Sequence, residues 1–479
     1  MSDTPFFPAW RRRFRRRREP IATTLASLRR CTLTKLEESL GPLLRGLDAL
    51  SPAHASARER PYSVRRTFWC FLWQQLQLDV ACREVVRQLQ AMLLLESRPP
   101  VDEGTSAYCQ ARERLPESLL VQALKTTAQA ADRGVELSGF LQHRVVKVMD
   151  GTTATLPDTP ENQKTYPQLT SQKPGCGFPI LHLLVVMSAR GGGVLDLAKG
   201  DYHHGEMRLV HQLCPTLAPH DIIIYDRAAG NYVACALVQQ AQADLISRVS
   251  IRKIDWRRGR RLGKNERLVT WKKSRAKPPY LTAQEWAALP AEVAVRVIRL
   301  RINQKGFRAR ELVLVTTLLD PAVYPVAELA AAYLRRWRLE LCLDDLKTTL
   351  GLDTLRCRSP ERVHRELLAT LIAHNLVRAV IAEAARAHEA PLERLSFKGT
   401  LDALRHFCAA SAQARSAAQR RHLWTQMLRI LAADQVPLRP ERWEPRAVKR
   451  RPKSYPKLNS PRHQYSENRH GSTYQRGKT

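Results

Sequence analysis

Runs of β-branched residues between about Arg144 and Val249 constrain the fold most, because they are bounded by Gly and Pro and replace a helical periodicity. RVVKVMD predicts a buried strand ending at Asp150, ILHLLVVMSA a second strand and VLDLAKG a third, which together predict an antiparallel meander. A helix, the strand DIIIYD ending on Asp226, a second helix and the strand ADLISRVS follow, with the later strands parallel to the first. The predicted fold class is α/β, with a mixed sheet flanked by helices.

Two aspartates stand at the ends of these apolar strands. If the strands of Asp150 and Asp226 are neighbours, the two carboxylates meet at the edge where open α/β sheets place their sites. Aspartate also ends many strands as a turn-forming residue, so neither position is informative alone. Their joint occurrence, followed by an acidic helix later in the chain, is the specific signal.

That helix is predicted over Ala331 to Leu350, AAYLRRWRLELCLDDLKTTL. At about 100° per residue, an arc of roughly 60° holds a phenol, a guanidinium, a carboxylate and an ammonium. These groups belong to Tyr333, Arg336, Glu340 and Lys347. Asp344 lies one turn beyond Glu340 and is an alternative for the carboxylate role. A solvated amphipathic helix with paired opposite charges explains the same pattern.

Three carboxylates on two strands and one helix are suited to divalent cations. Such a set holds two Mg²⁺ ions about 3.5 to 4 Å apart, one activating the attacking oxygen and one stabilising the leaving oxygen of an in-line displacement. Sites made only of oxygen ligands also accept Mn²⁺, so the sequence does not choose between the two metals. Neighbouring cationic side chains hold phosphate groups. The pattern therefore predicts phosphodiester chemistry.

Three motifs together point to a known family. They are DGT at 150–152, YDR at 225–227, and Y-x2-R-x3-E-x6-K from Tyr333 to Lys347. Over roughly residues 60 to 460 the chain resembles the IS4-family DDE transposases of bacterial insertion sequences, whose signature is the last spacing. Members often follow DR of the second motif with Gly and an aromatic residue, whereas this chain has Ala228 and Ala229.

The resemblance implies an RNase H-like catalytic core with a β-rich insertion between the second aspartate and the glutamate. It implies that the catalytic and metal-binding residues are Asp150, Asp226 and Glu340. It also implies DNA contacts near the cleaved end for Tyr333, Arg336 and Lys347. Two further arginines, Arg227 and Arg248, are counted as DNA-binding residues, although Arg248 alternatively caps the sheet edge.

The insertion is expected at 252–309, and the apolar run RELVLVTTL then resumes the core. It contains Trp256, Trp271 and Trp286 among dense Arg and Lys. Relatives that cut the second strand through a hairpin use an insertion tryptophan to hold a flipped base, so Trp256 and Trp271 are candidate DNA contacts. A tryptophan packed in a small β-core explains each of the three positions equally well.

The formal net charge of +33, from 78 Lys and Arg against 45 Asp and Glu, favours double-stranded DNA as the partner. The helical region at 61–140 is the predicted DNA-binding domain, of helix-turn-helix type, with a plain helical bundle of basic surface as the alternative. Its candidate DNA contacts are Arg65, Arg66, Arg83, Arg87, Arg112 and Arg114.

Composition divides the chain into predicted segments: a basic arm and helix at 1–60, the α-helical domain at 61–140, the core at 141–251 and, with C-terminal helices, at 310–436, the insertion at 252–309, and a basic Pro-rich tail at 437–479. The tail is expected to be disordered without DNA. The ten cysteines include no CxxC pair, which is typical of a protein in a reducing compartment. The predicted location is therefore the bacterial cytoplasm, at the nucleoid. The longest apolar stretch is too short to span a bilayer, so no membrane association is expected.

The predicted function is cut-and-paste DNA transposition. The enzyme binds terminal inverted repeats, hydrolyses the phosphodiester at the element's end with a Mg²⁺-activated water, and joins the new 3′-hydroxyl to target DNA. A dimer is expected in the synaptic complex. The alternatives are an RNase H-like nuclease without strand transfer and a catalytically silent, transposase-derived DNA-binding protein. Intact carboxylates at 150, 226 and 340 argue against the silent protein.

Overall fold

The computed structural model describes residues 32–44, 46–47, 61–77, 80–135, 140–301 and 311–437. The basic block WRRRFRRRRE of the predicted arm and the predicted tail beyond residue 437 lie outside the described residues.

The described residues form one nine-stranded mixed sheet. In chain order its strands are β1 (Val146–Thr155), β2 (Ile180–Ser188), β3 (Val194–Asp201), β4 (Ile222–Tyr225), β5 (Asp244–Val249), β6 (Arg260–Gly263), β7 (Glu266–Lys272), β8 (Glu292–Arg301) and β9 (Glu311–Thr316). Their spatial order is β3-β2-β1-β4-β5-β9-β8-β7-β6.

Helices precede, interrupt and follow the sheet. In the described ranges they are α1 (Thr32–Leu40), α2 (Val64–Leu76), α3 (Cys82–Leu95), α4 (Ser106–Glu113), α5 (Glu117–Asp132), α6 (Pro160–Thr165), α7 (Glu206–Leu213), α8 (Tyr232–Gln240), α9 (Ala283–Ala288), α10 (Val326–Asp344), α11 (Pro360–Ala387), α12 (Phe397–Ala412) and α13 (Ala417–Ala433).

The first five strands have the directions that the sequence predicts. β1, β2 and β3 form an antiparallel meander, in which Asp150 is paired with Val185. β4 is parallel to β1, and β5 is parallel to β4. Ile222, Ile223 and Ile224 of β4 are fully buried, because helices cover both faces of the sheet at this strand. The predicted mixed sheet flanked by helices is confirmed.

The strands of the predicted insertion continue the same sheet. β9 is antiparallel to β5, and β8, β7 and β6 follow it in antiparallel pairs. The sequence analysis did not predict this continuity, because it depends on the pairing of β5 with β9, which is distant along the chain. The boundaries of the insertion at 252–309 stay a prediction.

α11 is the central helix of the larger hydrophobic core. It packs along α5 and against α2, and most of its residues are buried. It is long and apolar enough to cross a membrane, but 94% of its most apolar window is buried inside the protein. Its His374 ring stacks on Phe397 at 5.2 Å, and Arg378 Nε donates to the carbonyl of Gly191 at 2.7 Å. The burial and these contacts identify α11 as a core helix.

The N-terminal helices share that core with α11 and the sheet rather than forming a core of their own. Phe68 of α2 and Tyr108 of α4 belong to the same cluster as Val146 of β1. Arg112 turns inward, with its Cζ 4.8 Å from the ring of Phe71 and 5.1 Å from that of Tyr108. This position does not fit the DNA contact expected of Arg112. The DNA-binding role of the region stays a prediction.

Candidate active site

Asp150 lies where β1 loses one of its two neighbouring strands. The parallel pairing with β4 ends at Val148 and Ile224, whereas the antiparallel pairing with β2 continues to Thr155. The prediction that the strand ends at Asp150 is therefore wrong, because β2 still supplies hydrogen bonds to β1 beyond this residue. The side of β1 that faces away from β2 is an open edge at Asp150.

Asp226 follows β4 directly and reaches the same edge. It caps a short 3₁₀ turn, in which its Oδ1 accepts the backbone N–H of Ala228 at 2.7 Å. It stands two residues beyond Ile224, as Asp150 stands two residues beyond Val148, and these two paired residues lie on neighbouring parallel strands. The condition stated for the two aspartates, that their strands are neighbours, is met.

α10 crosses β1, β4 and β5 and carries the third carboxylate. Nη1 of Arg336 pairs with Oε1 of Glu340 at 2.7 Å. The Cζ of Arg336 lies 5.7 Å from the ring centroid of Tyr333. Tyr333 and Arg336 are only 1% and 8% exposed, whereas the Glu340 side chain is 48% exposed. The helix thus presents a carboxylate at the surface above a buried guanidinium and a buried phenol.

The charges of these groups act on one another at Asp150. The pKa of Asp150 is raised to about 6: burial raises it most, Arg336 and the N–H of Gly151 lower it, and the carboxylates of Glu340 and Asp226 add to the rise. The Gly151 N–H donates to Asp150 Oδ1 at 3.1 Å. Two strands and one helix therefore bring three acids and one buried cation to a single place, with excess negative charge.

The donor set of this place fits a hard divalent cation. Its donors are carboxylate oxygens, the kind that Mg²⁺ and Mn²⁺ prefer, and a bound cation would compensate for the buried charge of Asp150. No group of three or more His, Cys, Asp or Glu within the described ranges is already arranged closely enough to hold a metal. The Glu340 carboxylate is half-exposed and is held by Arg336.

Comparisons with known proteins identify a matching family model and a relative. A family model described as Transposase DDE domain matches residues 142–376, the range that holds all three carboxylates. A relative from Escherichia coli (strain K12), "Transposase InsG for insertion sequence element IS4", is 26% identical over 431 residues, covering 88% of this chain and 93% of the relative.

The chain belongs to the IS4-family DDE transposases. Members of this group of enzymes use divalent metal ions, which agrees with the donor set. Among solved structures, the cryo-EM structure of the piggyBac transposase synaptic complex with hairpin DNA aligns with a TM-score of 0.40 and 8% identity, covering 83% of this chain and 81% of that chain. That similarity is too low to establish a shared fold.

Lys347 of this transposase does not continue the α-helix of Tyr333. α10 ends at Asp344, and a π-helical turn covers Asp345–Thr349. The predicted uninterrupted α-helix is therefore wrong, and the arc calculated from 100° per residue does not apply to Lys347, because a π-turn holds more residues. Lys347 is half-buried in that turn.

Two arginines lie near Asp226: Arg227 follows it in the chain, and Arg248 is on the neighbouring strand β5. Arg248 is on β5, and its positive charge lowers the pKa of the Tyr333 phenol, which burial raises. Arg227 is exposed in the turn that Asp226 caps. Arg248 thus joins the electrostatic environment of the site, and Arg227 is open to solvent beside it. Their predicted DNA contacts stay predictions, as does that of the buried Tyr333.

The three tryptophans of the insertion pack against a second hydrophobic core, on the α7 and α8 side of the sheet. Trp256 lies 6.0 Å from the Cζ of Arg299, and Trp286 meets Tyr232 edge-on at 6.2 Å. Trp271 is on β7, opposite Val293 of β8. All three are partly buried, which supports the packing alternative, and base stacking by Trp256 or Trp271 stays a prediction.

Sequence reasoning missed one acidic side chain at the carboxylate edge. A Cβ at Gly151 would come within 3.0 Å of the Cδ of Glu206, so the glycine of the DGT motif leaves space for this glutamate. Glu206 is the first residue of α7 and is half-buried. Two features of the sequence could have indicated it: the glycine of the DGT motif, and a glutamate in the first turn of the helix that follows β3.

Proposed function

We propose that this transposase cuts DNA at the ends of its own mobile element and joins the freed 3′-hydroxyl to target DNA. In this proposal Asp150, Asp226 and Glu340 hold two Mg²⁺ ions. The observation that carries it is that Asp150 and Asp226 follow paired residues on neighbouring parallel strands, while α10 crosses both strands and carries Glu340. Three carboxylates on such elements suit a hard divalent cation.

An RNase H-like core is part of the proposal. The spatial order β3-β2-β1-β4-β5, with an antiparallel meander followed by two parallel strands, supports it. The first two acids then belong to adjacent central strands, and the third belongs to a helix that packs across them. This placement leaves the carboxylate edge open to a long, rod-shaped substrate.

Divalent cations at the three carboxylates supply an activated nucleophile and stabilise the leaving oxygen. The chain's own residues orient the reactants. Arg336 holds Glu340 through its 2.7 Å ion pair, and Tyr333 lies beneath its guanidinium. In this proposal Arg227 and Arg248 contact phosphates near Asp226. Ala228 donates the N–H that holds Asp226, so the departure from the family's usual Gly leaves this turn intact.

DNA binding rests on charge. The net charge of +33 and the exposed Arg257, Arg258, Arg260 and Arg261 around β6 favour a phosphate backbone as partner. We assign recognition of the terminal inverted repeats to the helices at 61–140 and expect two chains to act together on two ends. Membership of the transposase family supports DNA as the substrate.

Cleavage of a labelled duplex that carries the element's own terminal repeat tests the proposal. Wild-type protein is expected to nick the repeat boundary with Mg²⁺ and not with EDTA, and to join the end to a second duplex. Glu340→Gln is expected to lose cleavage by at least about a thousandfold, since loss of a metal ligand removes cation-based stabilisation. Asp344→Asn, on the exposed side of the same helix, is the matched control and is expected to retain it.

The outcomes separate the alternatives. Cleavage lost in Asp344→Asn and kept in Glu340→Gln would transfer the third carboxylate role to Asp344. Cleavage without joining would indicate a nuclease, and tight repeat binding without cleavage in any divalent metal would indicate a DNA-binding derivative.

A further inference from the structure

Arg112 is a half-buried cation among the N-terminal helices. Its guanidinium lies against the rings of Phe71 and Tyr108, and its Nε is buried without a hydrogen-bond partner. Within the described part of the chain it forms no ion pair with a carboxylate, and its neighbour Glu113 pairs instead with Arg362 at 2.6 Å. A guanidinium withdrawn from water is unfavourable without an anion beside it. Nearby thiols are the groups that can supply this anion.

Three cysteine thiols lie near Arg112 among the described residues. Nη2 of Arg112 donates to Sγ of Cys109 at 3.9 Å and to Sγ of Cys357 at 3.9 Å. The Cys109 thiol, on α4, donates in turn to Sγ of Cys82 at 4.0 Å. Cys82 is the first residue of α3, so this contact joins two helices. Cys82 and Cys109 are only partly buried, whereas Cys357 is 7% exposed. Small solutes can therefore reach the Cys82–Cys109 pair.

Gln74 orients a further donor toward Cys82. Its Oε1 accepts from the Tyr108 hydroxyl at 2.9 Å and from Nη1 of Arg112 at 3.4 Å, so its amide nitrogen faces the other way. That nitrogen donates to the carbonyl of Val80 at 3.1 Å and to Sγ of Cys82 at 3.7 Å. The Cys82 sulfur thus accepts hydrogen bonds from an amide and from a second thiol, close to a guanidinium. Such an environment favours a thiolate.

The pKa of Cys82 is lowered accordingly. The hydrogen bond from Cys109 lowers it most, burial raises it, and Arg112 and then Gln74 lower it. The pKa of Cys109 is raised, first by its hydrogen bond with Cys82 and then by burial. The two thiols therefore share one proton at neutral pH, with the thiolate on Cys82 and the proton on Cys109. This thiolate compensates for the charge of Arg112.

We propose that Cys82 and Cys109 are a peroxide-reactive pair that closes to a reversible disulfide. The Cys82 thiolate attacks one oxygen of hydrogen peroxide and breaks the O–O bond, which gives a sulfenic acid and a hydroxide that takes a proton from solvent. The Cys109 sulfur then attacks the Cys82 sulfur and displaces its hydroxyl group, which leaves as water with the Cys109 proton. Two sulfurs together lose two electrons, and the peroxide is reduced to two waters.

The positions of the sulfurs favour this linkage. From 4.0 Å, the Cys82 and Cys109 sulfurs need to approach to roughly 2 Å, the length of a disulfide bond. Cys357 is the alternative partner of Cys109, but it is nearly fully buried and burial raises its pKa. Disulfides in a reducing compartment are typically transient and redox-sensing, so thiols are expected to reverse this one. The reaction does not depend on the proposed DNA chemistry.

Mass spectrometry of the full-length protein tests the pair without any substitution. Reduced protein is treated with hydrogen peroxide, the remaining thiols are alkylated, and the chain is digested without reductant. The peptides that carry Cys82 and Cys109 are expected to be linked, with loss of two hydrogen atoms, and dithiothreitol is expected to separate them. Cys176, a partly buried thiol in the loop before β2, is the internal control. It is expected to remain free for alkylation.

Serine variants separate the roles of the two sulfurs. Cys109→Ser keeps a hydroxyl donor and removes the second thiol, so oxidation is expected to stop at a sulfenic acid on Cys82, which dimedone captures. Cys82→Ser removes the nucleophile and is expected to slow oxidation of Cys109 at least about tenfold. Cys176→Ser is the matched control and is expected to form the disulfide at the wild-type rate. Thermal melting checks that each variant is folded.

The pH dependence of alkylation tests the role of Arg112. An ordinary thiol reacts about tenfold more slowly for each pH unit below its pKa of about 8.5, because the thiolate is the reactive form. Cys82 is expected to slow less than about threefold between pH 7.5 and 6.5. Arg112→Gln is expected to move this profile to higher pH, and Arg112→Lys to return it toward the wild-type position. A profile that Arg112→Gln leaves unchanged would show that Arg112 does not stabilise the thiolate.

Two results with wild-type protein would overturn the proposal. One is that peroxide oxidises Cys176 while Cys82 and Cys109 both remain free for alkylation. The other is that Cys109 is linked to Cys357 instead of Cys82. Because none of these measurements uses DNA or a divalent metal, their outcome is separate from that of the repeat-cleavage experiment.

Discussion

Arg336 and Glu340 form an ion pair of 2.7 Å one turn apart on α10, with the guanidinium buried and the carboxylate half-exposed. The arrangement couples three functions in one side chain. Arg336 orients Glu340, lies over the ring of Tyr333 at 5.7 Å, and lowers the pKa of Asp150 by its positive charge. A lysine at this position would supply the charge without the planar, forked geometry.

Arg336→Ala is therefore expected to slow cleavage of the repeat end by about a hundredfold and to move the acid limb of the pH–rate profile upward. The sign follows from Asp150, which must lose its proton to bind a cation. Its pKa is already raised to about 6, and removing the opposing cation raises it further. Arg336→Lys is expected to return the acid limb of the pH–rate profile close to its wild-type position but to recover less of the cleavage rate, because it keeps the charge and loses the forked geometry. A profile that does not move in Arg336→Ala would show that the two residues are not coupled.

His374 is expected to make the fold sensitive to acid. Burial in α11 and then the charge of Arg378 lower its pKa to about 3, and a weak contact with Asn375 opposes this shift. Below about pH 6.5 the His374 imidazole is protonated in the unfolded chain but stays neutral in the folded chain. The stability of the fold therefore falls as pH falls from 6.5 toward 3. The expected slope is about 1.4 kcal/mol per pH unit within that window.

His374→Phe removes this titration and keeps a ring to stack on Phe397. Its melting temperature is expected to fall less steeply between pH 6.5 and 4.5 than that of wild type. His388→Gln, at an exposed position just after α11, serves as the control and is expected to keep the wild-type slope. Equal slopes in wild type and His374→Phe would contradict the assignment.

The order of the first five strands along the chain and the aspartates that end two apolar runs could be predicted from the sequence because they depend on local patterns. β-branched runs mark β1 to β5, and each aspartate follows an apolar run whichever way the chain folds beyond it. The Tyr333, Arg336 and Glu340 contacts follow from spacing on a single α-helix. These features place most of the candidate site without reference to distant parts of the chain.

The remaining features depend on contacts between distant segments. The pairing of β5 with β9 makes the insertion part of the core sheet, and the strand run that supplies β9 is equally compatible with a separate β-domain. β1 passes Asp150 because β2 pairs with it there. Glu206 and Gly151 are brought together only by the return of α7 over the sheet. The π-turn at Asp345–Thr349 has no periodicity of its own in the sequence.

Trp256→Ala is expected to lower stability by about 2–3 kcal/mol, because the indole packs against the second core rather than standing free. Cleavage per folded molecule is expected to stay within about twofold of wild type. Thermal melting and repeat cleavage, measured on the same preparation, give the two quantities. Unchanged melting with reduced cleavage or hairpin formation would instead favour the base-stacking role for this tryptophan.

Arg296 connects the strands of the predicted insertion to the start of α10. It is fully buried on β8, pairs with Glu266 of β7, and donates through Nη1 to the carbonyl of Tyr324 at 2.7 Å, just before α10. Glu266→Gln removes the counter-ion and leaves a buried guanidinium charge uncompensated. This change is expected to destabilise the fold by about 3–5 kcal/mol.

The same substitution at Glu311 is the matched control for Glu266→Gln. Glu311 of β9 pairs with Arg299 of β8, in the same sheet, at 2.8 Å. About a third of each of these side chains is exposed. Because solvent screens this pair, Glu311→Gln is expected to cost less than about 1 kcal/mol. If denaturant unfolding shows equal losses for the two variants, Arg296 is not the electrostatic anchor of the segment that enters α10. A larger loss for Glu266→Gln, accompanied by slower repeat cleavage at temperatures where it remains folded, would show that this buried pair also positions Glu340.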